Sequence, residues 1–227
     1  MRGCEKRARA VLWDLDGVIA DTGDLHILTW RTMLSEMGVP FDEQHFRRIF
    51  GMVNSEGIPL LLGRPAAPEE IIRLGERKEA LFRELLPGRL RPVPGAVEWI
   101  RRLCEHGWRQ AVASSAPRLN IEAMLGELGL LDTFDAIVCA EELPAGKPDP
   151  AVFLKAAEVL GVPPAYCIVV EDSVVGIEAA RRAGMKCIAV TTTHPAAELL
   201  GADLIVETPA ALPPDAFDRL LDGASPR

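Results

Sequence analysis

The stretch Val11-Leu12-Trp13-Asp14-Leu15-Asp16-Gly17-Val18-Ile19 decides how this chain is read. An apolar run leads directly into two carboxylates two residues apart, and a glycine follows. If residues 10–13 form a strand, the pleat places Asp14 and Asp16 on one side at its C-terminal end. Gly17 then lets the backbone leave in a conformation that most residues avoid. The same letters also spell a hairpin turn, because Asp-Gly is a common two-residue turn. The rest of the chain decides between the two.

The 227 residues, 48% of them hydrophobic, suffice for one large α/β domain, or for one domain with a smaller companion. The formal charge is −8, from 25 basic and 33 acidic residues, and no Lys/Arg block of five or more occurs. That balance speaks against a nucleic-acid partner or a membrane-surface helix and for small molecules. The start is basic at Arg2, Lys6, Arg7 and Arg9, but the apolar run after it is broken at Asp14, too early for a signal peptide. No uncharged apolar run approaches the ~18 residues of a membrane helix. The expectation is a cytoplasmic protein without an obligate protein partner. Cys4, Cys104, Cys139, Cys167 and Cys187 are odd in number and contain no Cys-x-x-Cys, so neither a disulfide framework nor a zinc site is indicated. Three of the five lie in strand-like runs and read as buried thiols.

After the opening strand, residues 24–37 carry apolar side chains near helical spacing, and Gly38-Val39-Pro40 stops them. Asp42 is placed to cap a short helix, and helical stretches follow over 55–62 and 69–86, with Pro68 suited to opening the second. No strand is expected between 22 and 86. Pro87 to Gly95 is rich in proline and glycine and reads as a linker. Beyond it, helices (96–106, 117–128, 151–160, 174–183) alternate with strands (110–114, 136–139, 166–170, 186–190, 204–206). Runs such as Cys167-Ile168-Val169-Val170 are apolar without alternation, as expected of strands covered on both faces. The expected fold is α/β, a doubly wound, Rossmann-like parallel sheet with an inserted all-α cap. The core is expected over 1–21 and 90–227 and the cap over 22–89.

In open α/β sheets, ligands bind beyond the carboxyl ends of the strands. The first expected strand ends in Asp14 and Asp16, the second in Ser114-Ser115, and the fourth in Glu171-Asp172. Lys147 lies in the loop after the third. A helix start and Ser114 can donate hydrogen bonds to phosphate oxygens, while the Lys147 ammonium balances their charge. Carboxylates at 14, 16 and 172 are the hard oxygen ligands that Mg²⁺ prefers. Taken singly, Ser114-Ser115 also reads as a helix cap, Lys147 as a solvated lysine, and Glu171-Asp172 as acids favouring a helix start. Their coincidence at separate strand ends favours one phosphate site. No P-loop competes, since Pro148 follows Gly146-Lys147.

Asp14-Leu15-Asp16-Gly17-Val18-Ile19-Ala20-Asp21-Thr22, Val112-Ala113-Ser114-Ser115, Gly146-Lys147-Pro148-Asp149-Pro150 and Val170-Glu171-Asp172-Ser173 occur in the order of four family motifs. The chain thereby resembles the haloacid dehalogenase-like phosphohydrolase superfamily, in the helical-cap branch of β-phosphoglucomutases and sugar-phosphate phosphatases. The resemblance implies that Asp14 is a nucleophile forming an aspartyl-phosphate, that Asp16 is the acid and base, and that Ser114 and Lys147 hold phosphate. It implies Mg²⁺ on the Asp14 side chain, the Asp16 backbone carbonyl and Asp172, with Glu171 close by. A free aspartic acid has a pKa of ~3.9, so donation by Asp16 would need a raised value, expected from desolvation and from Asp14. The presence of Asp16 argues against dehalogenation.

Ser115, His26, Asn54 and Lys78 are the expected substrate contacts. His26 falls where β-phosphoglucomutases carry a hinge histidine, and Arg77-Lys78 resembles a cap segment whose lysine faces their site. Asn54 stands where the mutases have an arginine for a second phosphate, and Ala116 lacks a hydroxyl that they offer. Three functions stay open: a Mg²⁺-dependent phosphatase of a small phosphorylated metabolite, a mutase, and a non-catalytic phosphometabolite binder. Of these, the phosphatase is favoured.

Overall fold

The computed structural model describes residues 8–42, 45, 49 and 54–223. Its centre is β1 (Ala10–Trp13), every residue of which is buried. β1 pairs in parallel with β4 (Arg109–Ser114) on one side and with β6 (Cys167–Glu171) on the other, Trp13 lying opposite both Val112 and Val170. With β5 (Ala136–Cys139), β7 (Lys186–Val190) and β8 (Leu204–Val206) they form a six-stranded parallel sheet in the order β5-β4-β1-β6-β7-β8. The order reverses at β1, which places a crevice beyond its carboxyl end. The Asp-Gly pair is therefore no hairpin. Gly17 sits at φ +74°, and its N–H donates to the Ala20 carbonyl at 2.8 Å, closing a loop off the tip of β1.

Alternation along β1 serves two cores. Val11 and Trp13 join one apolar cluster with Trp99, Trp108 and Phe217, while Ala10 and Leu12 join a second with Val152, Phe153 and Val169. Burial on both faces is why these strands read as unbroken apolar runs. The Trp13 indole N–H would be costly in such a core without a partner, and it donates to Gln110 Oε1 at 3.0 Å.

Between β1 and β4 the chain forms α1 (Gly23–Glu36), α2 (Asn54–Leu62), α3 (Pro68–Leu85) and α4 (Ala96–Glu105). The first three surround their own apolar cluster of Trp30, Met33, Leu34, Ile49, Ile58, Leu61, Leu74 and Leu81. The short helix expected after Asp42 falls mostly outside the described residues, although Asp42 Oδ1 does accept from the His45 N–H at 3.0 Å. The remaining helices are α5 (Arg118–Glu127), α6 (Ala151–Leu160), α7 (Val174–Arg182) and α8 (Ala216–Asp222).

Two expectations require correction. Residues 87–95 are not simply a linker, because β3 (Arg91–Pro92) pairs antiparallel with β2 (Ala20–Asp21), so both chain crossings of the helical segment meet in one ribbon. A two-residue pairing is too short to leave a period of its own. The strand expected over 166–170 is shifted by one residue, since Tyr166 ends a 3₁₀ turn (Pro164–Tyr166) and Glu171 is buried as the last strand residue. The helix α8 carries no sequence expectation. Phe217 holds it in place, with ring centroids 5.2 Å from Trp99, 6.0 Å from Trp108 and 6.2 Å from Trp13.

Candidate active site

The end of β1 places Asp14 beneath the crevice, 7% exposed. Lys147 arrives from the loop after β5, and its Nζ donates to Asp14 Oδ1 at 2.5 Å and to Glu171 Oε1 at 2.6 Å. The ammonium also lies 4.9 Å from the centroid of the Phe153 ring, so its stem is enclosed by apolar surface. Burial alone would drive this lysine towards its neutral form, but the two carboxylates outweigh it and hold its pKa above the ordinary value.

Glu171 is saturated. While Oε1 takes Lys147, Oε2 accepts from the Asp172 N–H at 2.8 Å, the Ser173 N–H at 2.7 Å and the Ser173 hydroxyl at 2.9 Å. The Ser173 Oγ in turn accepts from the Gly176 N–H at 3.1 Å and caps α7. A Cβ on Gly176 would stand 1.8 Å from Glu171 Oε1, so glycine at that position lets α7 approach the carboxylate. Burial raises the Glu171 pKa, but Lys147 and the Ser173 donors more than offset this and hold it low.

Asp14, Glu171 and Asp172 each offer an oxygen within 4.8 Å of the others, a grouping suited to a cation. Three buried acids share one ammonium, and the imbalance shows in their titration. Burial, with Glu171 and Asp16 nearby, pushes Asp14 up to about 7 despite Lys147, and burial with Glu171 and Asp14 raises Asp172 well above the carboxylate range. An oxygen-rich set that is strained when all three acids ionise fits a divalent cation.

The Asp16 carboxylate does not join this set. Its Oδ1 accepts from the Thr22 hydroxyl at 2.6 Å and lies 3.1 Å from His26 Nε2. The expectation of a raised Asp16 pKa is therefore reversed. Burial does push it up, but His26, Thr22 and the charge of Lys78 together hold it below the ordinary value. Oδ1 is thus engaged by Thr22 and His26 at the start of α1, and the grouping of Asp14, Glu171 and Asp172 includes no Asp16 oxygen.

Ser114 is buried, and its Oγ accepts from the Ala116 N–H at 3.1 Å, leaving its own proton free to donate. It closes a turn and is not the cap of α5, whose N-cap is Pro117. Ser115 is exposed beside it. The His26 ring stacks on Phe82, centroids 4.6 Å apart. Lys78 lies 5.7 Å from the Phe82 centroid and 5.6 Å from that of Trp30.

Lys78 and Asn54 meet on Glu79, a residue that sequence reasoning missed. Glu79 Oε1 accepts from Lys78 Nζ at 3.0 Å and from Asn54 Nδ2 at 2.8 Å, while Oε2 accepts from Asn120 Nδ2 at 2.6 Å. Since Asn120 belongs to α5, this carboxylate ties the helical segment to the sheet domain. Arg83 completes the junction by donating to Asn120 Oδ1 at 2.6 Å.

The loop after β7 was missed as well. Thr193 Oγ1 lies 2.6 Å from Asp172 Oδ2, and the Thr192 hydroxyl donates to the Gly17 carbonyl at 2.5 Å. Its signal was a polar run, Thr191-Thr192-Thr193-His194, at yet another strand end. Gly17 lies underneath, where a Cβ would stand 2.0 Å from Asp172 Oδ2, so a side chain there would push the acid away.

The chain matches the model of the haloacid dehalogenase-like hydrolases over residues 11–190. It is 36% identical over 197 residues to a chloroplastic 5-amino-6-(5-phospho-D-ribitylamino)uracil phosphatase of Arabidopsis thaliana, covering 86% of this chain and 53% of that protein, about half its length. It is 35% identical over 206 residues to a β-phosphoglucomutase of Bacillus subtilis, covering 87% of this chain and 88% of that protein. The crystal structure of a β-phosphoglucomutase from Clostridium difficile superposes with a TM-score of 0.84 at 26% identity, over 95% of this chain and 98% of that one. The motif-bearing loops, the parallel sheet and these matches agree: the chain belongs to the haloacid dehalogenase-like hydrolases.

Proposed function

We propose that the protein is a Mg²⁺-dependent phosphatase that hydrolyses the phosphomonoester of a small sugar phosphate through an aspartyl-phosphate on Asp14. The observation that carries this reading is the buried set Asp14, Glu171 and Asp172 around Lys147, beyond the carboxyl end of β1. Helices over 22–89 act as a cap on a core formed by 1–21 and 90–227, which the ribbon between β2 and β3 and the separate apolar cluster of α1 to α3 support.

Asp14 and Asp172 would hold the cation, with the Asp16 backbone carbonyl as a further ligand, while Glu171 mainly fixes Lys147 and the start of α7. When bound, Mg²⁺ supplies the positive charge that lets a carboxylate approach a phosphate dianion. Asp14 attacks phosphorus and the ester oxygen leaves, which divides one hard displacement into two easier ones. Lys147 and Ser114 hold the phosphoryl oxygens. Asp16 gives a proton to the leaving oxygen and later takes one from the attacking water. Proton donation works against the hold of Thr22 and His26 on that carboxylate, so departure of His26 from Oδ1 accompanies it.

Phosphoryl transfer within a sugar is the second reading, favoured by the Bacillus subtilis relative and by His26 and Lys78. Asn54 favours hydrolysis, since its amide is spent on Glu79 and cannot replace a guanidinium on a second phosphate. The test is product analysis of β-glucose 1-phosphate incubated with Mg²⁺ and a trace of glucose 1,6-bisphosphate. Free phosphate should outrun glucose 6-phosphate, and the opposite order would establish the mutase. Action in the cytoplasm on a free metabolite, without nucleic acid, membrane or obligate protein partner, completes the proposal. No helix among the described residues is long and apolar enough to cross a membrane.

A further inference from the structure

Asp172 is 4% exposed, and one of its two carboxylate oxygens is already engaged. Thr193 Oγ1 stands 2.6 Å from Asp172 Oδ2, 3.1 Å from the Asp172 carbonyl and 3.0 Å from His194 Nδ1. A hydroxyl has a single proton to give and two lone pairs to receive with. The shortest contact, to the carboxylate, takes that proton. His194 Nδ1, also 3.1 Å from the Asp172 carbonyl, then serves as the N–H donor to the Thr193 oxygen. With Asp172 ionised, as a cation ligand must be, its oxygens can only accept, and the chain of donation then runs from His194 to Thr193 to Asp172.

The rest of the loop is anchored in the same place. Thr192 donates to the Gly17 carbonyl at 2.5 Å, and the Thr193 methyl would lie 3.0 Å from a Cβ on Gly17. Thr193 is thus held against both the β1 loop and Asp172, and its bond leaves Oδ1 as the Asp172 oxygen without this donor. Hydrogen-bond partners of this kind orient cation ligands, and their loss typically weakens metal affinity by 10–100-fold.

We propose that Thr193 is a positioning residue for the cation site: its hydroxyl, oriented by His194, clamps one Asp172 oxygen and turns the other towards the site shared with Asp14. The inference rests on the reading that Asp14 and Asp172 hold the cation, and it deepens that reading by adding a residue from a further strand end, that of β7.

The test measures Mn²⁺ binding to the whole chain by electron paramagnetic resonance, so no turnover is needed. The variants are Thr193→Val, Thr193→Ala, Thr193→Ser and Asp172→Asn, with thermal melting recorded in EDTA. Thr193→Val and Thr193→Ala should each weaken Mn²⁺ binding by roughly 10–100-fold, and Thr193→Ser should return it to within about threefold of the unchanged protein. Affinity within about threefold of unchanged for a folded Thr193→Val or Thr193→Ala would overturn the proposal, as would a Thr193→Ser protein as weak as the other two. Asp172→Asn separates the two claims: Mn²⁺ binding undiminished in that variant would overturn the cation site itself and this proposal with it. Loss of binding in Asp172→Asn but not in either hydroxyl-free variant would overturn only the role of Thr193.

Discussion

Lys147 stands between Asp14 and Glu171 with its side chain 5% exposed, and each acid depends on the ammonium for its charge balance. In the proposed reaction, the same ammonium must serve the phosphoryl group as charge builds on it. Lys147→Ala should therefore lower kcat by on the order of 10²–10³-fold, as loss of a preorganised electrostatic stabiliser does elsewhere. Steady-state rates with p-nitrophenyl phosphate check this, and a loss below about fivefold would leave Lys147 a structural lysine. The second residue-scale prediction concerns Asp16, whose pKa is held below the ordinary value chiefly by His26 and Thr22 against the effect of burial. If Asp16 must carry a proton to give one, the rate falls as pH rises through its pKa. His26→Ala removes a group favouring the charged form, raises that pKa and moves the falling limb of kcat to higher pH. A falling limb that stays in place in the variant would remove Asp16 as the acid. The chain of letters carries both carboxylates, yet the sign of this shift was not legible in it. His26 is ten residues away, and only the entry of α1 brings it onto Oδ1.

The sheet strands and most of the helices were legible because each writes its own pattern: apolar runs for strands buried on both faces, helical spacing for α1 to α3, and proline or glycine at the joints. What escaped depends on partners far along the chain. β2 and β3 are two residues each and are defined only by one another, and α8 is fixed by residues far along the chain, Phe217 packing among three tryptophans and Asp218 accepting from Arg9. The helix junction escaped for the same reason, because Glu79 reads as one more charge on a helix face until Asn120 on α5 is placed beside it. Deleting that amide by Asn120→Ala leaves a buried Glu79 oxygen without its donor from the core and Arg83 without its acceptor. Unsatisfied buried groups of this kind cost about 1–3 kcal/mol. Urea unfolding should show a loss of that order, with KM for a sugar phosphate rising more than kcat falls. Unchanged stability and an unchanged KM would mean that α3 packs on α5 without needing this contact.

At the scale of the molecule, a chain of net charge −8 gathers three buried acids where an anionic ester is to bind, an arrangement that needs compensating positive charge. The lysine from one loop supplies part of it, and the proposed cation supplies the rest. The acids come from the ends of β1 and β6 and the lysine from the loop after β5, so the site exists only once the sheet is assembled. The motif letters gave this constellation because the rule for open α/β sheets points to strand ends. They did not give the β7 loop, whose threonines and histidine carry no charge pattern to set them apart. The account stands on Asp14 as the attacking group. Its most direct measurement is the initial rate of phosphate release from p-nitrophenyl phosphate at saturating Mg²⁺ by the unchanged protein and by Asp14→Asn. The unchanged protein should release phosphate and fall silent in excess EDTA, and Asp14→Asn should lose on the order of 10⁴-fold or more in kcat. Release by Asp14→Asn within about fivefold of the unchanged protein would contradict the account, because a lost nucleophile cannot leave so much activity behind.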